Sequence, residues 1–342
     1  MLKVGVIGSG WVATNRHIPS FLRDHRVKLI GIASSSLKSA EETARKFGIP
    51  HFYDDAEELL KQPLDIVDIC TPPFTHHEMV IKAAEAKCNI FVEKPFALNS
   101  IEAEEMIEIA RRNNVKVCVS HNFLFSRSMS RARMLRDSEA FGRITGAIAL
   151  QMTNLKRRLP TWYPKLPGGL FFDESPHMLY SILEFLGNAS VTYAHVEKWK
   201  NSLQPLSLVE ASMKSELESA TAYLRFTFNA PRDEWILAII GTKRAAIVDF
   251  FRDTIVELNE GGEHMPTEVL SNSLTFIWKT AAEIANSGLR FLSKRLYFGH
   301  DALIQRFIDA IENDTEPPVS AEKGKMVIEL IEQILEMGQG RT

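Results

Sequence analysis

Three short strings in this sequence hold residue types that could seat a phosphate, polarise an oxygen or move a proton. Near the start, Gly8-Ser9-Gly10-Trp11-Val12-Ala13 has GxGxxA spacing. Gly8 permits a tight turn and Gly10 lets a pyrophosphate approach the backbone. Ala13 keeps the next helix close to its sheet, with the helix N-terminus facing the phosphates. Further on, Glu93-Lys94-Pro95 offers an ammonium group. Taken alone Lys94 reads as a solvated loop lysine, but a place between a buried strand and Pro95 favours a site. In the second half, Asp173 and His177 stand four residues apart, which on a helix is one turn on one face. A carboxylate beside an imidazole makes a tunable proton acceptor, because the acid orients the ring and stabilises its charged form. The plainer reading makes Asp173 a helix cap and His177 a core contact.

The first string needs a strand before it and a helix after it, and the pattern supplies both. From Met1 to about residue 120, short apolar runs (KVGVIG, KLIGIAS, DIVDICTPP, NIFVEKP, VKVCVSHN) alternate with helical patterns such as SAEETARKFG and SIEAEEMIEIARRNN. Buried strands alternating with amphipathic helices predict a doubly wound parallel sheet of the Rossmann type. Thr71-Pro72-Pro73-Phe74-Thr75-His76 and Glu93-Lys94-Pro95 then fall at carboxyl ends of parallel strands, where open α/β sheets bind ligands. After residue 120 the rhythm changes: a helix near 128–138, strand runs near 143–154, 190–200, 219–231, 234–242 and 245–259, and one helix near 174–186. Strands following strands predict an α+β domain with a mostly antiparallel, open-faced sheet. Two domains follow, 1–122 and 123–342. The closing pair of amphipathic helices, split by Pro317-Pro318, is expected to pack back on the body.

The second predicted strand ends in Ala33-Ser34-Ser35-Ser36, where an acid would grip the adenosine ribose diol of NAD. No acid stands there. Ser34, Ser35 and Lys38 could instead hold a 2′-phosphate, which favours NADP over NAD, and the same serines also read as turn and cap residues.

With 40 Lys and Arg against 43 Asp and Glu, the chain offers no field for nucleic acid or a charged membrane, which leaves small-molecule chemistry. Cys70, Cys88 and Cys118 have neither disulfide nor metal-ligand spacing, so no metal is expected and a reducing, cytoplasmic setting is the default. No apolar run reaches the length of a membrane span and no secretion signal is expected.

Together, the GxGxxA, Thr-Pro and Glu-Lys-Pro strings resemble the Gfo/Idh/MocA family, named for glucose-fructose oxidoreductase and inositol dehydrogenase, over almost the whole chain. Gly168-Gly169 followed by Asp173-x-x-x-His177 is similar to a second-domain motif of that family. The resemblance implies hydride transfer between a nicotinamide and a hydroxyl or carbonyl carbon of a sugar-like substrate. On it, Lys94, Asp173 and His177 form the catalytic group. Thr71, Pro72, His76, Glu93, Lys94 and Asn122 join Gly8, Gly10, Trp11, Val12, Ala13, Ser34, Ser35 and Lys38 along the cofactor. His177 would act as base, Asp173 as its orienting partner and Lys94 as donor to the oxygen.

Departures shape the substrate expectation. Many members carry an Asp where this chain has Tyr180, and the usual aromatic and basic residues after Asn122 are Phe123, Leu124 and Phe125. The substrate pocket, expected to include Lys94, Asn122, Asp173, His177 and Tyr180 with Trp162 and Tyr163 as stacking candidates, thus has fewer charges and more aromatic surface. A nucleotide-linked or modified sugar is as consistent with it as free inositol or glucose. Two other readings stand: a non-catalytic dinucleotide- and sugar-binding sensor, and an NAD-dependent glycoside-cleaving enzyme.

One segment is left over. Residues 270–296 carry Leu274, Ile277, Trp278, Ala281, Ile284, Ala285, Leu292 and Leu296 at helical spacing among Lys279, Arg290, Lys294 and Arg295, with Gly288 as a break. It predicts a helix that takes part in a homodimer or homotetramer, with a membrane surface as the competing use.

Overall fold

The structure is a computed structural model, and it describes residues 1–199, 202–217, 219–258, 265–293 and 298–340. The chain folds as two compact units, one of Met1–Asn122 with His300–Glu329 and one of Phe123–Gly299 with the chain from Leu330 onward.

In the first unit the strands are β1 (Leu2–Ile7), β2 (Val27–Ala33), β3 (His51–Tyr53), β4 (Ile66–Ile69), β5 (Asn89–Val92) and β6 (Val117–Val119). They pair in parallel in the order β3-β2-β1-β4-β5-β6. Between them run α1 (Ile18–Phe21), α2 (Leu37–Phe47), α3 (Ala56–Leu60), α4 (His76–Glu85) and α5 (Ser100–Asn113). The central strands β4 and β5 are buried nearly throughout, as a sheet covered on both faces requires. The strand order reverses between β1 and β4, so the Gly8 turn sits at the topological switch point. Serine, aspartate and asparagine side chains cap the helices: Ser36 accepts from Ser39 N–H, Asp55 from Glu57 N–H and Asn99 from Glu102 N–H.

The second unit begins with α6 (Arg127–Arg136) and β7 (Ile144–Met152), followed by α7 (Leu170–Leu186). Then come β8 (Ala189–Lys198), β9 (Leu206–Ser215), β10 (Thr221–Thr227), β11 (Glu234–Gly241), β12 (Ala245–Asp249), β13 (Thr254–Leu258) and α8 (Pro266–Leu292). The sheet order is β13-β12-β11-β7-β10-β9-β8, antiparallel except for the parallel pair β7 and β10. Along β10, Ala222, Leu224 and Phe226 are buried while Thr221, Tyr223 and Arg225 are exposed. That alternation marks a sheet with one covered face. The cover is α7, which packs on β7, β9, β10 and β11 and is buried along almost its whole length. Of the closing helices, α9 (His300–Glu312) belongs to the first unit, and α10 (Ala321–Gly338) starts in the first and ends in the second.

Several local expectations are corrected. Strand β9 went unread because its polar positions Glu210, Ser212 and Lys214 dilute the apolar pattern, and β3 because three residues carry no periodicity. The run over 245–259 is two strands joined by a turn at Asp253, whose φ is +47°. Helix α7 starts at Leu170, ahead of the predicted start near 174, with Pro176 inside it, and Gly169, not Asp173, is its cap residue. Helix α8 passes through Gly288 without a break. Its predicted continuation through Lys294, Arg295 and Leu296 lies outside the described residues.

Gly169 holds the start of α7 in a way no other residue matches. Its φ is +64°, and a Cβ there would stand 2.6 Å from both Gln204 Oε1 and Pro205 Cδ. The same Gln204 oxygen accepts the Leu170 N–H at 2.9 Å, capping the helix from a neighbouring loop. Gly169→Ala adds left-handed strain and displaces that cap, so it is expected to destabilise by about 2–4 kcal/mol. Urea unfolding checks this, and an unchanged midpoint overturns it.

Candidate active site

The loop after β1 is shaped as a dinucleotide site requires. At Gly8, φ is +109° and a Cβ would stand 2.6 Å from the carbonyl oxygen of Cys70, so β1 and β4 come too close there for any side chain. A Cβ on Gly10 would meet nothing within 4 Å, which leaves its backbone open to a ligand. Ala13 is buried and begins a π-helical turn, Ala13–His17, that runs into α1. Trp11 stands half-exposed beside the Arg16 guanidinium, 4.9 Å from its ring. At the end of β2, Ser34, Ser9 and Ser39 hydroxyls form a chain with contacts of 2.8 and 2.7 Å. Ser35 is exposed and so is Lys38, the latter at 85% with only a 4.0 Å contact to Glu42. A nicotinamide dinucleotide fits these residues: Gly8, Gly10 and the helix start would hold its pyrophosphate, and the serine chain would face its ribose.

The loops after β4 and β5 are tied together from beneath. His76 is fully buried, with Nδ1 2.8 Å from the carbonyl oxygen of Pro95 and Nε2 2.9 Å from that of Thr71. It thus joins the Thr71-Pro72 turn to the Glu93-Lys94-Pro95 turn. Burial pushes its pKa down. Beside it lies a cluster that sequence reasoning missed. His17 Nδ1 is 2.8 Å from Asp68 Oδ1 and its Nε2 is 2.8 Å from Glu93 Oε1, with His17 and Asp68 fully buried and Glu93 nearly so. Burial pushes the His17 pKa down, but the Asp68 charge and hydrogen bond outweigh it and hold the ring well above its ordinary value. Glu93 lies well below the usual carboxylate range: burial pushes it up, and the His17 hydrogen bond and charge more than offset that. An imidazolium clamped between two carboxylates is the consistent state. Burial pushes the neighbouring Cys70 thiol up, so it stays neutral. The signal was present in the sequence: an Asp inside a four-residue, fully buried strand needs a partner, and His17 is one turn beyond Ala13 on the buried side of its helix.

In the second unit α7 carries Asp173 and His177, both buried, one turn apart. His177 Nδ1 is 2.7 Å from the Tyr180 hydroxyl, which accepts the Phe123 N–H at 3.1 Å. A phenol can give to or take from Nδ1, so Tyr180 holds the ring in either protonation state. The sequence reading expects Tyr180 in the substrate pocket; in the structure its hydroxyl lies against Nδ1 of His177. The ring is walled by Phe123 and Trp235, at centroid distances of 4.6 and 5.2 Å. Trp235 is a further residue the sequence did not single out, and its indole N–H is buried with no acceptor among the described residues. Next to Asp173, Glu174 accepts from Gln151 Nε2 at 2.5 Å and Thr153 Oγ1 at 2.9 Å and pairs with Arg157, which pins α7 to β7. Trp162 and Tyr163 form the start of a short 3₁₀ turn, both partly buried. Asn122 is buried and is the last residue of the first unit's opening segment.

Comparison with known proteins identifies the family and the fold. Residues 2–121 match the GFO_IDH_MocA family described as "Oxidoreductase family, NAD-binding Rossmann fold", and residues 139–342 its "C-terminal alpha/beta domain". The chain is 25% identical over 329 residues to myo-inositol 2-dehydrogenase of Thermotoga maritima, covering 96% of this chain and 93% of that protein. It is 29% identical over 198 residues to D-glucoside 3-dehydrogenase of Escherichia coli, covering 56% and 55%. Among solved structures, the WlbA dehydrogenase of Bordetella pertussis, in complex with NADH and UDP-GlcNAcA, shares the fold at 18% identity with a TM-score of 0.82, covering 100% of this chain and 96% of that one. The chain therefore belongs to the Gfo/Idh/MocA oxidoreductase family, with its NAD-binding Rossmann domain and its C-terminal α/β domain.

Proposed function

We propose that the protein is a dehydrogenase or reductase that moves a hydride between NADP and a hydroxyl or carbonyl carbon of a nucleotide sugar, modified sugar or related cyclic polyol. The observation that carries this reading is His177, fixed at Nδ1 by Tyr180 and walled by aromatic rings, one turn from a buried Asp173. The nicotinamide, when bound, supplies the site that takes or gives the hydride. The chain's own residues handle the proton and the charge. His177 takes the hydroxyl proton in oxidation and returns it in reduction, with Asp173 favouring the charged ring. Lys94 donates to the substrate oxygen and stabilises its negative charge. Trp235 offers its N–H to a polar group of the substrate, and Phe123 and Trp235 present apolar surface to a sugar face. His76 and Glu93 act beneath the cofactor, holding the Thr71 and Lys94 turns. The names of the relatives, dehydrogenases of inositol and of a glucoside, and the UDP-sugar acid held by WlbA, support the substrate class. The three free thiols fit a reducing, cytoplasmic setting.

NADP is preferred because the end of β2 offers Ser34, Ser35 and the exposed Lys38 and no acid. Wild type is expected to favour NADP by tenfold or more in kcat/KM, about 1.4 kcal/mol, and Ser34→Asp to move preference towards NAD by repelling the 2′-phosphate. Nicotinamide absorbance followed over a panel of sugars and nucleotide sugars, with each cofactor, tests both statements. A tenfold preference of wild type for NAD defeats the cofactor reading. Dinucleotide binding without absorbance change on any sugar, or sugar cleavage without net reduction, points to the sensor or the glycoside-cleaving reading.

A further inference from the structure

Glu93 stands immediately before Lys94, yet its carboxylate is bonded elsewhere. Its Oε1 lies 2.8 Å from His17 Nε2, and the other ring nitrogen, Nδ1, lies 2.8 Å from Asp68 Oδ1. His17 ends the turn that follows the glycine loop, Asp68 lies in β4, and Glu93 follows β5, where its N–H donates to the Ile69 carbonyl oxygen at 3.0 Å. One imidazole thus joins the three chain segments that carry Gly10, Thr71 and Lys94. Two other charges act on Glu93, those of His300 and Lys94, and each lowers its pKa less than His17 does. His300 is buried, with its ring centroid 5.5 Å from that of His17. Glu93 therefore lies within electrostatic reach of Lys94 but accepts its hydrogen bond from His17.

We propose that His17 is a positioning residue for the reaction: by holding the Glu93 carboxylate it keeps that charge from binding the adjacent Lys94 ammonium, so that the ammonium can turn to the substrate oxygen. The proposal rests on the role given to Lys94 above. Stability alone does not account for the arrangement, because packed apolar side chains do as well as a buried ion pair or better. A carboxylate beside an ammonium in a site of low dielectric binds it strongly, raises its pKa and fixes its direction. His17 prevails over Lys94 for structural reasons. Its ring is fully buried and held at both nitrogens, so bonding Glu93 costs it little freedom, whereas a lysine must order a flexible four-carbon stem. Asp68 serves as the internal comparison. It holds the same ring from β4, and losing His17 strands both carboxylates, but only Glu93 adjoins Lys94 in the chain.

The test compares, on the full chain, His17→Ala, His17→Ala with Glu93→Gln, and His17→Ala with Asp68→Asn. Each double variant relieves one stranded carboxylate, so both regain stability over the single variant, and comparing them does not require the single variant to fold. Two quantities are measured per folded, dinucleotide-binding molecule. One is kcat on the panel sugar that wild type turns over; the other is the rate at which dilute acetic anhydride acetylates Lys94, followed by peptide mass spectrometry. An ammonium held by a carboxylate keeps its proton more tightly, and about 1.4 kcal/mol of that attraction leaves tenfold less neutral amine to react. Acetylation of Lys94 is therefore expected to fall about tenfold in His17→Ala and in the Asp68→Asn double variant, and to return to within about threefold of wild type in the Glu93→Gln double variant. The kcat values are expected to follow the same order. Two double variants that behave alike, or a His17→Ala protein that labels and turns over as wild type does, overturn the proposal: His17 then supports the fold alone, or His300 takes its place at Glu93. Because acetylation needs no substrate, a chain that turns over no sugar of the panel fails the functional reading, while the labelling order still decides whether His17 keeps Glu93 from Lys94.

Discussion

Lys94→Met and His177→Ala are each expected to cut kcat/KM by about a hundredfold to several thousandfold while dinucleotide affinity stays within about twofold of wild type. The asymmetry follows from the role proposed for each group. The proposed pyrophosphate site is Gly8, Gly10 and the helix start, none of which either substitution alters. In the proposed mechanism Lys94 and His177 act on the substrate oxygen and its proton, where charge develops only during reaction, so removal shows in the rate and not in cofactor binding. For His177 the pH profile adds a second readout. The wild-type limb that reports the imidazole should vanish in His177→Ala, and a small exogenous base such as imidazole should return part of the rate if the vacated space admits it. Fluorescence titration of the cofactor beside steady-state rates decides the matter. Near-normal turnover in either variant removes that residue from the catalytic group, and a matching loss of dinucleotide affinity assigns it to the cofactor site instead.

How much of this was legible in the sequence differs sharply between the two units. The parallel sheet was readable because buried strands such as β4 and β5 are continuous apolar runs between amphipathic helices, and two periodicities seldom confuse one another over that length. The Gly8 turn was readable because its conformation admits one residue type. The second sheet was harder. Strand β9 carries Glu210 and Lys214 on its open side, and Glu210 is neutralised by Arg225 and hydrogen-bonded by Tyr223 from β10, a cross-strand arrangement that no local window contains. The start of α7 was misplaced for a similar reason: its cap is the side chain of Gln204, more than thirty residues away. Partners far apart in sequence also hid His17 and Asp68, and with them the contact that ties Glu93, expected only along the cofactor, to His17. Helix α8 was found by its spacing, yet spacing alone says which residues share a stripe and not which stripe faces the protein. Only the inward ion pairs of Glu283 and Arg290 settle that its apolar side points out.

The His17 clamp yields the largest expected effect on stability. Removing the imidazole by His17→Ala leaves Asp68 and Glu93 as buried carboxylates without their shared cation, a loss expected to cost about 3–5 kcal/mol near neutral pH. The pH dependence separates this from a mere cavity. In wild type the raised His17 pKa contributes stability that is fully present below the unfolded value of about 6.5 and is lost as pH rises through the higher folded value. The lowered Glu93 pKa contributes stability present above about 4.3 and lost as pH falls. Buried His121, pushed down to about 3 chiefly by burial, and His76 lose theirs in the same acid direction in both proteins. In the variant Glu93 loses the His17 hydrogen bond and charge and keeps only the smaller effects of the His300 and Lys94 charges, so its affinity for protons rises and acid now relieves it. The stability gap between wild type and variant should therefore be widest near pH 6, shrink towards pH 4.5 as the stranded Glu93 protonates, and shrink again at high pH as wild-type His17 gives up its proton. Urea midpoints for both proteins at pH 4.5, 6, 8 and 9.5 measure this. A gap that stays constant across that range means His17 contributes only its volume to the core, and a gap near pH 6 of less than about 1 kcal/mol means that the clamp adds no net stability.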